Sequence, residues 1–143
     1  MQISTTHLER CLQTLTASLE ELQASEPDSI KFEIYRNAVI KGFELSLEVC
    51  GKLLRRALKA YGGSPKEVDE LVYKEVLRRC AKQAILEPAL TEKIWFYSTK
   101  RQSVADDDYI PFVQEILPLL PLFITEMSHI ANLLQQQETL SVL

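Results

Sequence analysis

The sequence predicts an all-α protein, an antiparallel up-and-down four-helix bundle with one additional short helix. Three observations support this fold class. Good helix formers such as Leu, Glu, Gln and Lys dominate the composition, and only four glycines occur in 143 residues. Apolar residues recur at steps of three and four, with no convincing alternating segment. The length and the 46% hydrophobic content fit a single domain, residues 1–143, with a loose tail after about residue 137.

Charge and hydropathy restrict the class of function. A net charge of −4 and a pI near 5.3 give no general attraction to nucleic acid, so we expect no direct nucleic-acid binding. No uninterrupted apolar run approaches the ~20 residues that span a bilayer, and the N-terminus lacks a secretory signal pattern. We therefore expect a cytoplasmic protein without membrane contact. The three cysteines are expected to be buried thiols: Cys11, Cys50 and Cys80.

Two amphipathic helices are predicted in the first half of the chain, at residues 6–24 and 29–61. In the first, leucines recur at alternating steps of four and three, and Thr6 with Glu9 fits a capping box. The second is expected to end at Gly62 and carries two apolar stripes on neighbouring faces. A helix that is apolar on two faces must be covered on both, so it lies at the centre of the bundle or against a second subunit.

The second half of the chain predicts three more helices. The first, residues 65–85, opens on a Ser-Pro-Lys-Glu capping pattern, and a break inside it is expected. A shorter helix covers residues 89–102. The last, residues 109–137, has the most regular apolar stripe, but two prolines are expected to kink or split it near residue 117.

Three charged residues of the second predicted helix share one face. Glu44, Glu48 and Lys52 follow one another at steps of four, which places them one turn apart. One interpretation is a solvated surface with a Glu48–Lys52 ion pair. The other is a polar stripe lining a groove, where two carboxylates receive hydroxyl or amine donors from a ligand.

A second charged segment joins Arg101 to the run Asp106-Asp107-Asp108. Asp108 suits the N-cap of the last helix, and Arg101 is expected to pair with one of these acids. Adjacent carboxylates at a helix entry rarely converge on one ion, so no metal site is predicted. His7 and His129 have no plausible nucleophile beside them, and no glycine-rich phosphate loop occurs, so no catalytic residue is assigned.

The run from Ala38 to Leu54 resembles the signature VIxxFEFTxELxWKxL of the nucleotidyltransferase substrate-binding proteins. The matching residues are Val39, Ile40, Phe43, Glu44, Glu48 and Lys52. Downstream, residues 64–68 resemble the family's SPREV helix start, and Trp95 followed by residues 101–106 resembles its W…RNxxxHxY segment. The resemblance covers about residues 36–134 in the same order and spacing.

This chain departs from the family pattern at several motif positions. Gly51 replaces the signature's Trp, Gln102 replaces the Asn, and Asp106 or Asp107 stands where the motif has His. In the related HEPN ribonucleases, the Arg and His of this motif are implicated in RNA cleavage. A carboxylate lacks the donor and the near-neutral pKa of an imidazole, so we expect no enzymatic activity from this chain.

The resemblance implies a helical bundle like the C-terminal domain of kanamycin nucleotidyltransferase, acting as a homodimer. It also implies a separate small nucleotidyltransferase subunit, which holds the nucleotide and Mg²⁺, so that this chain needs no cofactor. Nothing here resembles the catalytic GSxxxG…DxD motif of such transferases. The implied substrate-binding residues are Glu44, Glu48, Lys52 and Arg101. Two alternatives stay open: a degenerate HEPN-type ribonuclease of a toxin–antitoxin pair, and a purely structural interaction bundle.

Overall fold

The computed structural model describes the backbone of residues 3–102 and 109–142 and the side chains of residues 3–101 and 111–136. These ranges are helical, with no strand, which confirms the predicted all-α class. The α-helices are α1 (Thr6–Gln23), α2 (Ile30–Ala60), α3 (Pro65–Glu70), α4 (Tyr73–Lys82), α5 (Pro88–Gln102), α6 (Tyr109–Ile116) and α7 (Leu120–Val142).

Helices α1 and α2 form an antiparallel hairpin. Lys31 at the start of α2 lies 3.6 Å from Glu21 near the end of α1. Further along, Gly42 lets α2 approach α1 closely, because a Cβ there would lie 3.1 Å from the side chain of Leu15. The hydroxyl of Ser29 accepts a hydrogen bond from the amide of Phe32 at 3.0 Å, so Ser29 is the N-cap of α2.

The predicted helix over residues 65–85 is divided into α3 and α4. Leu71 and Val72 have extended backbone angles between the two helices. The guanidinium of Arg55 on α2 donates a 2.7 Å hydrogen bond to the carbonyl of Leu71, so it satisfies a polar group that the break leaves free. The expected break is therefore present, and α2 stabilises it.

Two predicted capping boxes do not form. Thr6 is the first residue of α1 instead of its cap, and Thr5 at the N-cap position makes no capping hydrogen bond through its side chain. Ser64 has the extended backbone of an N-cap before Pro65, but its hydroxyl also makes no capping bond. Sequence spacing permits these bonds, whereas side-chain orientation decides whether they form.

The prolines split the last predicted helix as expected. Leu117–Leu119 form a 3₁₀ turn between α6 and α7, and α7 continues to Val142, beyond the predicted end at residue 137. The ring of Phe123 on α7 lies 4.8 Å from that of Phe43 on α2 and 4.9 Å from that of Tyr97 on α5. These aromatic contacts join three helices in one core.

The two apolar stripes of α2 have different environments. The first is buried from Val39 to Ala57, where Val39 and Leu47 are 0% exposed, but Tyr61 at its end is 50% exposed. The second is covered only in its C-terminal half, where Leu53 is buried; Ile34 and Ile30 are 58% and 77% exposed. The three cysteines are buried and unpaired, as predicted.

One segment, Pro111–Gln136, is long and apolar enough to cross a membrane by length and composition, with a mean hydropathy of 1.3. The expectation from uninterrupted apolar runs missed it, because the segment mixes apolar with uncharged polar residues and its charged side chains are only Glu115 and Glu126. A core helix of a soluble protein passes the same test, and Ile116, Phe123 and other stripe residues are buried in this bundle.

Candidate functional site

The outer face of α2 carries the predicted polar residues. The ammonium of Lys52 lies 3.6 Å from a carboxylate oxygen of Glu48, and both side chains are more than half exposed. The predicted i,i+4 pair is therefore present on the surface. Exposed pairs of this kind contribute little to stability, so these charges are available to a ligand or a partner.

Glu44 lies one turn before Glu48, in a shallow recess of about 270 Å³. The side chains of Asn37, Ile40 and Lys41 also line this recess. Glu44 is half-buried and forms no ion pair with another described residue. The recess therefore offers a carboxylate, an amide and an ammonium group within two turns of one helix.

The ring of Tyr73 fills the space next to Gly51, between Glu48 and Lys52 in the chain. A Cβ at Gly51 would lie 2.7 Å from Cε2 of this ring, so no larger residue fits without displacing it. The Tyr73 hydroxyl donates a 2.9 Å hydrogen bond to the carbonyl of Leu47. Tyr73 thus occupies the space that becomes free where the family signature has Trp. Sequence reasoning missed this residue, although a glycine inside a long helix indicates close approach of another group.

The charge of Arg101 acts on Tyr73, the residue that packs on Gly51 of α2. Burial is the main cause that raises the pKa of Tyr73 well above its ordinary value, followed by the charge and hydrogen bond of Cys50; the positive charges of Arg101 and Arg55 oppose this rise. The positive charge of Arg101, which is exposed at the end of α5, thus acts on the Tyr73 phenol. Among the described residues, no hydrogen bond or ion pair joins Arg101 to Glu44, Glu48 or Lys52, so its place beside them stays a prediction.

The acids predicted to pair with Arg101 lie outside the described residues. These are Asp106, which stands at the motif's histidine position, and its neighbours Asp107 and Asp108. In the described ranges, no group of three or more His, Cys, Asp or Glu side chains is arranged to hold a metal ion.

A second polar cluster lies between α5 and α7. The Tyr97 hydroxyl donates a 2.8 Å hydrogen bond to Oε1 of the buried Glu126, and the ammonium of Lys93 lies 3.7 Å from the same oxygen. Burial, followed by the hydrogen bond and negative charge of Glu126, raises the pKa of Tyr97. This cluster was not predicted, because its residues are 29 positions apart and belong to different helices.

Comparisons with known proteins agree with the family resemblance. A family model described as "nucleotidyltransferase substrate binding protein like" matches residues 4–136. No curated protein and no solved structure matches the chain significantly. The matched range includes the helices that carry the polar face, the Tyr73 ring and Arg101.

Proposed function

Because the chain belongs to the family of nucleotidyltransferase substrate binding protein like proteins, we propose that it is the non-catalytic subunit that binds the substrate of a separate small nucleotidyltransferase. The family match over residues 4–136 is the observation on which this proposal depends. In this assignment, the nucleotide and Mg²⁺ bind the partner. The bundle acts in the cytoplasm, as a homodimer, and without binding nucleic acid directly.

The polar face of α2 supplies the proposed substrate contacts. Glu44 and Glu48 accept hydrogen bonds from hydroxyl or ammonium groups of the substrate, because ionised carboxylates offer only acceptors. Lys52 and Arg101 attract an anionic group, either of the substrate or of the nucleotide held by the partner. Tyr73, the first residue of α4, is a positioning residue, since its ring packs on Gly51 and its hydroxyl is already bonded to the carbonyl of Leu47.

Co-purification and kinetics test this function. The tagged full-length chain is isolated from its own host, and co-purifying proteins are identified by mass spectrometry. We expect a small nucleotidyltransferase among them. Transfer from labelled nucleoside triphosphates is then measured with the reconstituted complex and the small-molecule extract of the host as the source of acceptor.

Substitutions in the polar face give the decisive comparison. We expect Glu44→Gln and Glu48→Gln to raise the KM for the acceptor by about tenfold each, since each removes a charged hydrogen-bond acceptor. The amount of complex should stay unchanged. Glu26→Gln is the matched control, because Glu26 is exposed between α1 and α2 and makes no ion pair with another described residue. Equal KM values for all three variants and the parent would contradict the proposed site.

The two alternatives predict different results. A HEPN-type ribonuclease would cleave RNA as the purified chain alone, and Arg101→Ala would abolish that cleavage; this result would replace the present proposal. A purely structural bundle would bind the partner, and every substitution in the polar face would leave nucleotidyl transfer unchanged.

A further inference from the structure

A groove of about 770 Å³ lies between α1 and α7, away from the polar face of α2. Its volume falls in the range of about 300–1,000 Å³ that is usual for small-molecule sites. Three properties of the groove indicate the chemistry of a ligand: the net charge of its two walls, the spacing of its carboxylates, and the apolar residues at its base.

The two walls of the groove come from acidic parts of the chain. Residues 1–30, which include α1, hold five acidic residues and one basic residue, Arg10. Residues 102–143, which include α7, hold six acidic residues and no Lys or Arg. The other 15 of the 16 basic residues lie in residues 31–101. Walls of negative net charge attract cations and repel anions.

Two carboxylates lie at the ends of the α1 wall. Glu9 and Glu20 both line the groove and are three helical turns apart, so they share one face of α1, about 16 Å from each other at ~1.5 Å per residue. Neither forms an ion pair with another described residue. Glu9 accepts only a long hydrogen bond of 3.3 Å from the amide of Gln135. Each carboxylate can therefore receive an ammonium group.

The base of the groove between these carboxylates is apolar. Leu12 and Ala131 are buried there, and Ile124 is half-buried. Hydroxyl groups of Thr16 and Ser128 line the groove above this base. The Thr16 hydroxyl donates a 2.8 Å hydrogen bond to the carbonyl of Leu12, so its oxygen can accept a bond from a ligand.

We propose that this groove binds a linear aliphatic polyamine, a cation in which methylene segments separate ammonium groups. An extended tetraamine such as spermine has terminal nitrogens about 16 Å apart from standard bond lengths, which matches the spacing of Glu9 and Glu20. The terminal ammonium groups form charge-assisted hydrogen bonds with these two carboxylates. The inner ones donate to Thr16 and Ser128, and the methylene groups cover Leu12.

Arg10 is the one described basic residue that lines the groove. It lies about 100° round the helix from Glu9 and is exposed, whereas Glu9 is half-buried, so Arg10 belongs to the outer edge. Its guanidinium donates a 3.4 Å hydrogen bond to the side-chain oxygen of Gln13. An anionic ligand would meet two carboxylates in order to reach this one cation, so the charges of the groove favour a cationic ligand.

Calorimetric titration of the full-length chain tests the site. The probes are spermine, spermidine, putrescine and hexaamminecobalt(III), at about 0.15 M salt, where distant charges are screened. We expect one site, with spermine bound about tenfold or more tightly than putrescine, since only the longer cation reaches both carboxylates. Spermidine should bind more tightly than hexaamminecobalt(III), which carries the same charge in a compact shape.

Substitutions identify the groove as the place of binding. Glu9→Gln and Glu20→Gln should each lower the affinity for spermine about tenfold and remove most of its advantage over putrescine. Glu26→Gln is the matched control, because it removes the same charge from an exposed position outside the groove. Ala17→Lys, at an exposed position that lines the groove, supplies an ammonium group from the chain itself and should prevent spermine binding. Circular dichroism checks that each variant is folded.

Three results would overturn the polyamine site. These are spermine bound no more tightly than putrescine, spermidine bound no more tightly than hexaamminecobalt(III), and an equal loss of affinity in Glu26→Gln, since each means that only net charge is recognised. Unchanged binding to Ala17→Lys would also contradict the groove as the site. All titrations use this chain alone, so they do not depend on the nucleotidyltransferase or on the polar face of α2.

Discussion

Gly51 and Tyr73 share one volume between α2 and α4. The tyrosine ring lies where a Cβ at position 51 would be, and its hydroxyl is anchored on the carbonyl of Leu47. A ring held at both its face and its hydroxyl has little freedom to move aside. The residue at position 51 is therefore determined by a side chain 22 positions further along the chain.

This shared volume predicts that the effect of Gly51→Ala changes sign with residue 73. In the parent chain, the substitution should destabilise the fold by about 1 kcal/mol, because overpacking against the Tyr73 ring outweighs the higher helix propensity of alanine. In a Tyr73→Ala background, the same substitution should stabilise the fold by up to about 1 kcal/mol. Urea unfolding of the four proteins measures both effects, and simple additivity would contradict the shared volume.

Sequence alone cannot reveal such a pair. Gly51 departs from the family signature, but no sequence motif explains why glycine is needed there. Tyr73 lay inside the predicted helix over residues 65–85 and carried no motif. Its position depends on the break at Leu71 and Val72, which in turn depends on Arg55 of another helix.

At the scale of the elements, a side chain caps the first turn of α2 by a hydrogen bond, whereas no side-chain hydrogen bond caps α3. Ser29 accepts a hydrogen bond from the amide of Phe32, whereas Ser64 makes no capping bond through its side chain before Pro65. Both serines fit the same sequence pattern of an N-cap. They therefore provide a matched pair for measuring what one capping bond contributes.

We expect Ser29→Ala to lower the free energy of unfolding by about 1 kcal/mol, because the first turn of α2 loses the acceptor for its amide. Ser64→Ala should change it by much less. Thermal and chemical unfolding measure both values. Equal losses for the two variants would show that the hydroxyl of Ser64 also caps its helix.

The periodicity of apolar residues predicted these helices well, because each helix must present one apolar face to the core. Every predicted helix exists, the prolines near residue 117 divide the last one, and the division of residues 65–85 was expected. The capping boxes at Thr6 and Ser64 were wrong, because spacing does not determine side-chain orientation. The cluster of Tyr97 with Glu126 was missed because it joins two helices whose packing the sequence does not specify.

At the scale of the whole molecule, two buried thiols couple folding to alkaline pH. Burial raises the pKa of Cys50 to about 12, and burial together with the charge of Cys50 raises that of Cys80 to about 12. An unfolded chain releases these protons near the ordinary value of 9.0. The folded chain therefore binds more protons than the unfolded chain between pH 9 and pH 12.

We expect the free energy of unfolding to fall as pH rises through this window, since the contribution of the thiols is fully present only below pH 9. Urea unfolding at pH 8, 9 and 10 measures the slope, to which the raised pKa values of Tyr73 and Tyr97 also contribute near pH 10. A Cys50→Ala/Cys80→Ala variant should show a smaller slope. A stability that stays constant from pH 8 to pH 10 in the parent chain would contradict the assignment.

Both the sequence pattern and the structure were needed to describe the polar face of α2. The spacing of Glu44, Glu48 and Lys52 predicted that they share a surface, and they do. Arg101 was connected to them only through the family motif, and in the structure its positive charge acts on the Tyr73 phenol.

The contact between α7 and the N-cap residue of α1 has a consequence for folding order. The amide of Gln135 on α7 donates to the hydroxyl of Thr5 at 2.5 Å, across a sequence separation of 130. The hairpin of α1 and α2 closes a short loop and forms early, whereas this contact must close nearly the entire chain. In a chain that lacks α7, the apolar side of that hairpin is exposed to water. Exposed apolar surface promotes aggregation, so α7 lowers the tendency to aggregate when it packs on the hairpin.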